Sequence, residues 1–301
     1  MLSINTNTAS MAAVNAINKS SASLSTSMER LATGNRINSS ADDAAGKQIA
    51  SRLTAQSSGM GVALSNIQDA TAMLQTADSM FDEMTDVLGR MKDLSTQAAN
   101  GTYNSDDLQA MQDEYDELGQ QMSDMLQNTT YGGTNLFGTK ATSNTGVSGL
   151  FQSSVTFQVG AESSDTMTVD ISKQLGDLVT DLDKVSNSFS TDNSTNVSAS
   201  GTELTASAGA ANNMISTIQT AMDDVSKIQS KLGASINRLN DTANNLTSMQ
   251  DNTEVAIGNI MDTDYATEAS NMTQQQVLMQ TGITMLKQSN SMSSMVSSLL
   301  Q

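Results

Sequence analysis

The 301-residue sequence contains no cysteine, no histidine, no proline and no tryptophan, and aromatic residues make up only 3% of it. Each absence excludes something. Without Cys there is no disulfide and no thiolate metal ligand, and the redox compartment leaves no mark on the composition. Without His the usual general base and the commonest transition-metal ligand are missing. Ser-His-Asp, Cys-His and most zinc chemistry are therefore closed to this chain. Average usage of Pro would give roughly 15 in a chain of this length; having none lets helices run uninterrupted and removes slow prolyl isomerisation from folding. A round core leans on aromatic area, so the shortage suits thin helical bundles. Positive charge is scarce as well: 14 Lys and Arg stand against 32 Asp and Glu, a net charge of −18. Such a surface repels nucleic acid and anionic membranes, and it holds copies apart until salt screens them. No run approaches 18 uncharged apolar residues, so no membrane-spanning helix is expected. The opening Met-Leu-Ser-Ile-Asn-Thr-Asn-Thr has neither a basic n-region nor an apolar core, so it does not read as a signal peptide. On pattern alone the protein reads as cytosolic.

What the chain does have is heptad order and 21 methionines, flexible apolar fillers for helix seams. Over 5–33, Val14, Ile17, Ser21, Leu24, Met28 and Leu31 step by three and four, and Thr33-Gly34-Asn35 breaks the run. A second helix is expected from about 42 to 99. Ser39 or Ser40 would cap it, with Asp42 and Asp43 in its first turn. Leu53, Met60, Ile67, Leu74, Phe81 and Leu88 repeat every seven residues, with Ala63, Ala70, Ala77, Met84, Met91 and Ala98 beside them, and Gly59 and Gly61 mark a bend. A third helix over 104–129 carries Leu108, Met111, Tyr115, Leu118, Met122 and Met125; the stretch from Asn128 to Gly138 ends it. The period then changes to two: Val155, Phe157 and Val159, then Met167, Val169 and Ile171, flank a turn-rich segment and predict a β-hairpin within 150–172. The stretch 173–202 reads as a short variable segment, with 186–202 a Ser/Thr/Asn-rich loop. Helical seams resume over 203–258 and 264–300, the last with Leu278, Met285, Met292 and Leu299 at sevens and Met272, Met279, Leu286 and Leu300 in an adjacent row.

The expected fold is therefore mainly α, an elongated bundle of long helices in coiled-coil packing with one small β-hairpin region and the N- and C-terminal helices paired. Its segments are an N-terminal helix and connector (1–41), two helices plus hairpin (42–172), the variable segment (173–202), a long return helix (203–258) and a C-terminal helix (259–301). Isolated helices with an apolar stripe are marginal in water. The two terminal stripes must therefore be buried against each other or against other copies. Candidate chemical sites are thin. Asp42-Asp43, Asp113-Glu114-Asp116-Glu117 and Asp223-Asp224 lack the Ca²⁺-loop spacing and read as solvated helix faces. Asn193-Ser194-Thr195 matches a glycosylation sequon, a weak signal. No Gly-rich phosphate loop is present. No cofactor, no metal and no catalytic residue is expected.

Three stretches carry a family resemblance. Residues 31–53 read LATGNRINSSADDAAGKQIASRL, residues 232–239 LGASINRL and residues 260–272 IMDTDYATEASNM. These resemble, in order, the N-terminal core block, the C-terminal rod helix and the C-terminal core block of bacterial flagellins. Arg36, Ile37, Asn38, Asp42, Asp43, Asp264, Tyr265 and Ala266 carry the match, and the opening MLSINTN and closing SSLLQ fit it. The resemblance covers about 1–172 and 203–301. It implies a structural subunit that self-assembles into the filament for swimming or swarming, exported unfolded through the flagellar type III apparatus to the extracellular flagellum. Assembly residues would be Val14, Ile17, Leu24, Met28 and Leu31 with Leu278, Met285, Met292 and Leu299. Further implied partners are an export chaperone on the C-terminal helix, and the filament cap and hook-associated proteins. The flagellin-sensing Toll-like receptor is also implied, through Arg90, Leu94, Gln97 and Glu114; Gly89, Met91, Lys92 and Asp93 depart from the family's recognised block. Lys92 stands where the family has an Arg able to bond bidentately. The Ser/Thr content of 186–202 leaves room for O-glycosylation. The rival readings are a hook–filament junction protein, an enzyme on the same scaffold, and a coiled-coil secretion or adhesion factor. The first would carry Pro in the 38–43 block, and the second would need a larger insert.

Overall fold

The structure, a computed structural model, describes residues 7–138, 149–189, 201–205 and 208–299. The opening residues, the sequon Asn193-Ser194-Thr195, most of the 186–202 segment and Leu300 lie outside the described residues, as does the Leu299 side chain. In chain order the elements are α1 (Thr8–Thr33), α2 (Ala44–Ala98), α3 (Ser105–Asn128), β1 (Thr130–Tyr131), β2 (Thr134–Asn135), a 3₁₀ turn (Leu150–Gln152), β3 (Val155–Gln158), β4 (Thr166–Val169), α4 (Ser172–Val185), α5 (Ala208–Met261) and α6 (Tyr265–Leu299). They divide into two compact units, one of residues 1–58 and 249–301 and one of residues 59–248.

In the first unit α1 and α6 pair antiparallel. Asn7 caps α1, its side chain accepting from the Ser10 amide, and Gly34, left-handed at φ 75°, closes it on the Arg30 carbonyl, where the sequence expected a stop. Two turns then meet. The Arg36 amide donates to the Met261 carbonyl at 2.6 Å, the Thr263 amide to the Gly34 carbonyl at 2.9 Å, and the Arg36 guanidinium to the Ile260 carbonyl at 2.7 Å. Ile37 is buried beneath them. The cap of α2 differs from the expected Ser39 or Ser40. Asp43 accepts from the Gly46 amide at 2.9 Å, while Asp42 folds back onto Asn38 and Ser39, so both aspartates precede the helix. An ionised carboxylate meets the dipole and the orphan amides of a helix start better than a hydroxyl does.

The second unit is the seam the sequence drew. Met60, Ile67, Leu74, Phe81 and Leu88, with Ala63, Ala70, Ala77, Met84, Met91 and Ala98, are buried from α2. Tyr115, Met122 and Leu126 join from α3, and Ala211, Ile218, Val225, Leu232, Leu239 and Leu246 from α5. Gly59 and Gly61 are both helical, and the buried side chains around them outweigh a propensity cost of about 1 kcal/mol each. The expected hairpin forms, with Phe157 opposite Met167 and Val155 opposite Val169. Its few aromatics cluster: the Phe137 ring lies 5.0 Å from Phe81, edge-on, and 5.8 Å from Phe151. Two elements went unread. The β1–β2 pair follows α3 directly, and α4 occupies the first half of the expected variable segment. Leu175, Leu178, Leu182 and Val185 step three-four-three along α4 and are buried, which is why a helix forms there.

A polar clasp closes this unit around the chain's return to α5. Gln112, fully buried, donates to Asp116 and Glu203 at 2.9 and 2.8 Å and accepts from the Leu204 amide at 2.8 Å. Asp116 accepts from the Gly201 amide, Glu203 from the Asn187 amide, and the Tyr115 hydroxyl donates to the Val185 carbonyl. Burial pushes the Tyr115 phenol well above its ordinary range, with the Glu203 charge adding to it.

Candidate assembly face

The α1–α6 pair has an inner and an outer row on each helix. Inner contacts run its length. Asn7 donates to the Ser289 hydroxyl at 3.0 Å, and Tyr265 donates its hydroxyl to the Leu31 carbonyl at 2.9 Å. The Ser27 hydroxyl donates to Glu268, and Arg30 lies 3.8 Å from the same carboxylate. Gly282 sits against Ile17 so closely that a Cβ there would lie 2.7 Å from Ile17 Cγ1. Ile17, Leu24 and Leu31 are partly buried on this side of α1, and Met272, Met279 and Leu286 on α6. The expected assembly residues therefore split. Ile17, Leu24 and Leu31 are used within the chain. Val14 and Met28 remain exposed, as do Leu278, Met285 and Met292, the last two at 62% and 58%. On α6 the row that meets α1 is the adjacent one, because Gly282 and Ser289 lie beside it and are small enough for the two backbones to approach. Leu278, Met285 and Met292 are turned away from that seam, joined on the outside by Val277 and Ile283.

Glu268 was the inner-row residue that sequence reading passed over. It is only 8% exposed, although it lies within the quoted IMDTDYATEASNM block. Its signal was its register: Glu268, Gln275, Gly282 and Ser289 fall at sevens, a polar and small line through an otherwise apolar helix.

The other motif residues build the two turns. The Asp264 carboxylate accepts from the Ala266 and Thr267 amides and the Thr267 hydroxyl, which holds its pKa below the usual range, the Thr267 hydroxyl contributing most. Asp42 is likewise lowered, chiefly by the Ser39 amide at 2.8 Å and then by the Ser39 hydroxyl. Asn38 donates to the Asn35 carbonyl at 3.3 Å. Arg36, Ile37, Asn38, Asp42, Asp43, Asp264, Tyr265 and Ala266 thus gather at one junction.

The receptor candidates lie in the second unit. Arg90 donates to Glu114 through Nε at 2.7 Å and reaches the same oxygen with its second nitrogen at 2.6 Å, both side chains about half exposed. Gln97 donates to the Tyr103 hydroxyl at 3.0 Å on the surface. Leu94 does not join them: at 2% exposure it is a core residue, turned inward by the same heptad that buries Met91 and Ala98. Among the described residues, no group of three or more carboxylates is placed to hold a metal ion, and no helix is long and apolar enough to cross a membrane.

Two family models match the chain: the bacterial flagellin N-terminal helical region over residues 4–142, and the bacterial flagellin C-terminal helical region over residues 215–300. The chain is similar to flagellin A of Vibrio anguillarum, 31% identical over the full length of both chains. It is also similar to polar flagellin C of Vibrio parahaemolyticus, 30% identical, again over both full lengths. Among solved structures it resembles that of a flagellar hook-associated protein from Vibrio parahaemolyticus, with a TM-score of 0.53 over 73% of this chain and all of that one. At 17% identity that last likeness concerns the fold alone.

Proposed function

Because the chain belongs to the bacterial flagellin family, it is a structural subunit that polymerises into the extracellular flagellar filament and not an enzyme, and we propose that the outer rows of its α1–α6 pair are the surfaces by which copies stack. The observation that carries this reading is that pairing within the chain consumes one apolar row of each terminal helix and leaves Val14, Met28, Leu278, Met285 and Met292 uncovered. A soluble subunit gains nothing from such a surface. Covering each large side chain contributes about 1.5–3 kcal/mol, and a helical lattice covers the row on every subunit it adds. The cost is the freedom that each subunit and its outer-row side chains lose on joining, so growth from an existing end, which covers more of the row at once, is favoured over a new start.

The turn junction of Arg36, Asp42 and Asp264 sets how the two terminal helices leave α2 and α5, and so how the outer rows are presented. The terminal helices α1 and α6 would then form the inner tube of the filament, and α2, α3 and α5 with the β3–β4 hairpin the outer tube, with 173–202 between the two halves of the family fold. The outer row Leu278, Met285 and Met292 is also where an export chaperone would mask the subunit before assembly, and the same ends would meet the cap and hook-associated proteins. A chain without Pro and Cys suits unfolded export, since nothing in it isomerises slowly or cross-links. Arg90, Gln97 and Glu114 offer a polar surface that the flagellin-sensing Toll-like receptor can contact, with Leu94 supporting it from beneath. Arg90→Ala lowers the signal in a receptor reporter assay if that contact is made; an unchanged signal removes Arg90 from the site.

Seeded growth tests the main reading. Leu278→Asp or Met285→Asp subunits are added to short filament seeds and followed by electron microscopy. A carboxylate forced into an apolar contact is strongly unfavourable, so elongation stops while the second unit keeps its helical circular dichroism. Growth at the wild-type rate would refute the outer row as the stacking surface.

A further inference from the structure

Methionine is the only sulfur in this chain, which has no Cys. Among the described residues the fold sets two groups of its methionines at opposite extremes of exposure. Met60, Met84, Met91 and Met122 are shut in the core of the second unit, each no more than 1% exposed. Met11, Met28, Met285 and Met292 lie on the outer rows of the α1–α6 pair, all half or more exposed. We propose that these four thioethers are an oxidant-sensitive modification site, at which a peroxide converts methionine to its sulfoxide and withholds the subunit from assembly. The inference rests on the reading that the outer rows are covered between copies.

The chemistry is oxygen-atom transfer. A sulfur lone pair attacks one oxygen of hydrogen peroxide, the S–O bond forms as the O–O bond breaks, and the departing oxygen takes up the protons as water. Sulfur loses two electrons and the peroxide gains them. No catalyst is needed, only access to the sulfur, and access is what the outer row has and the core lacks. The product carries a strong hydrogen-bond acceptor in place of an apolar contact. Against the Leu, Val, Ile and Met of the outer rows the sulfoxide oxygen would lose its water, so covering it is disfavoured as for any polar group stripped of solvent. Sensitivity belongs to the free subunit, because a covered row no longer meets the oxidant. A row of Leu would stack as well without this property; the structure places Met at four of its exposed positions.

The test uses full-length subunit and hydrogen peroxide. Peptide mass mapping should find one added oxygen first on Met11, Met28, Met285 and Met292 and on the equally exposed Met295, and none on the four core methionines. Such subunits should elongate seeds at least about tenfold more slowly, and treatment with methionine sulfoxide reductases should restore the rate. A variant with these four residues and Met295 changed to Leu should grow equally with and without peroxide. If that variant does not grow at all, the reductase arm still decides. Oxidised subunits that elongate at the untreated rate, or a loss of growth that reductase does not reverse, overturn the inference. Met285→Asp separates it from its premise. If the Asp variant also elongates, the outer-row reading falls; if it stops while the sulfoxide form grows, only the oxidation inference falls.

Discussion

Asp42 and Asp264 are exposed, yet hydrogen bonds from neighbouring amides and hydroxyls hold both below the usual carboxylate range. A carboxylate with a depressed folded pKa contributes stability that is present above its unfolded pKa of about 3.9, and that contribution is lost as pH falls through the folded value. The junction between α1, α2, α5 and α6 should therefore loosen in acid below about pH 4. Protection of the Ser39 and Thr267 amides, taken relative to their intrinsic exchange rates, should fall there, and Asp264→Ala should already lack that protection at Thr267 at neutral pH. Protection at both amides that stays constant through this range would contradict this role. In the second unit, Tyr115→Phe removes the hydroxyl that serves the Val185 carbonyl and should cost about 1 kcal/mol, read as a lower urea midpoint. Residues with near partners were legible in the sequence. Asp42 and Asp43 announced a helix start, and only the choice of cap was missed. Gln112 was not legible, since its partners Glu203 and Leu204 lie some ninety positions away and no local pattern points to them.

At the scale of elements, the period of a helix is easier to read than the side that period turns inward. In α6 two rows both repeat every seven residues: Leu278, Met285 and Met292, and Met272, Met279 and Leu286. Apolarity alone does not choose between them. What chooses is size and polarity between the large residues, because Gly282 admits Ile17 and Glu268 finds Ser27 and Arg30. Gly282→Leu should thus pry the pair apart, with overpacking costing about 1–3 kcal/mol. Hydrogen exchange should rise in α1 and α6 and stay unchanged in α3; protection retained throughout α1 would show that the helices do not meet there. The second unit posed no such ambiguity, as α2 and α5 each carry one dominant seam. Helix α4 was present in the sequence as Leu175, Leu178, Leu182 and Val185, but the polar stretch after it lent its character to the whole of 173–202.

At the scale of the whole molecule, a net charge of −18 opposes every subunit that joins. Repulsion between exposed charges fades as the screening length falls from about 10 Å at 0.1 M salt to about 3 Å at 1 M. Seeded elongation should rise across that range, whereas burial of the outer rows responds far less to ordinary salts. The family was legible at this scale because its motifs are long and sit at both ends of the chain. Which terminal residues work inside the subunit and which between subunits was not, since that division exists only once α1 and α6 have paired. The most direct test of the division exploits the absence of Cys. Met285→Cys and Met279→Cys subunits are labelled with a maleimide, first as monomers and then in filaments grown from them. The outer-row position should label much faster than the inner one in the monomer and become at least about tenfold slower on assembly, as a covered surface requires. If the outer-row position labels equally fast in monomer and filament, copies do not stack on that row and the account is wrong.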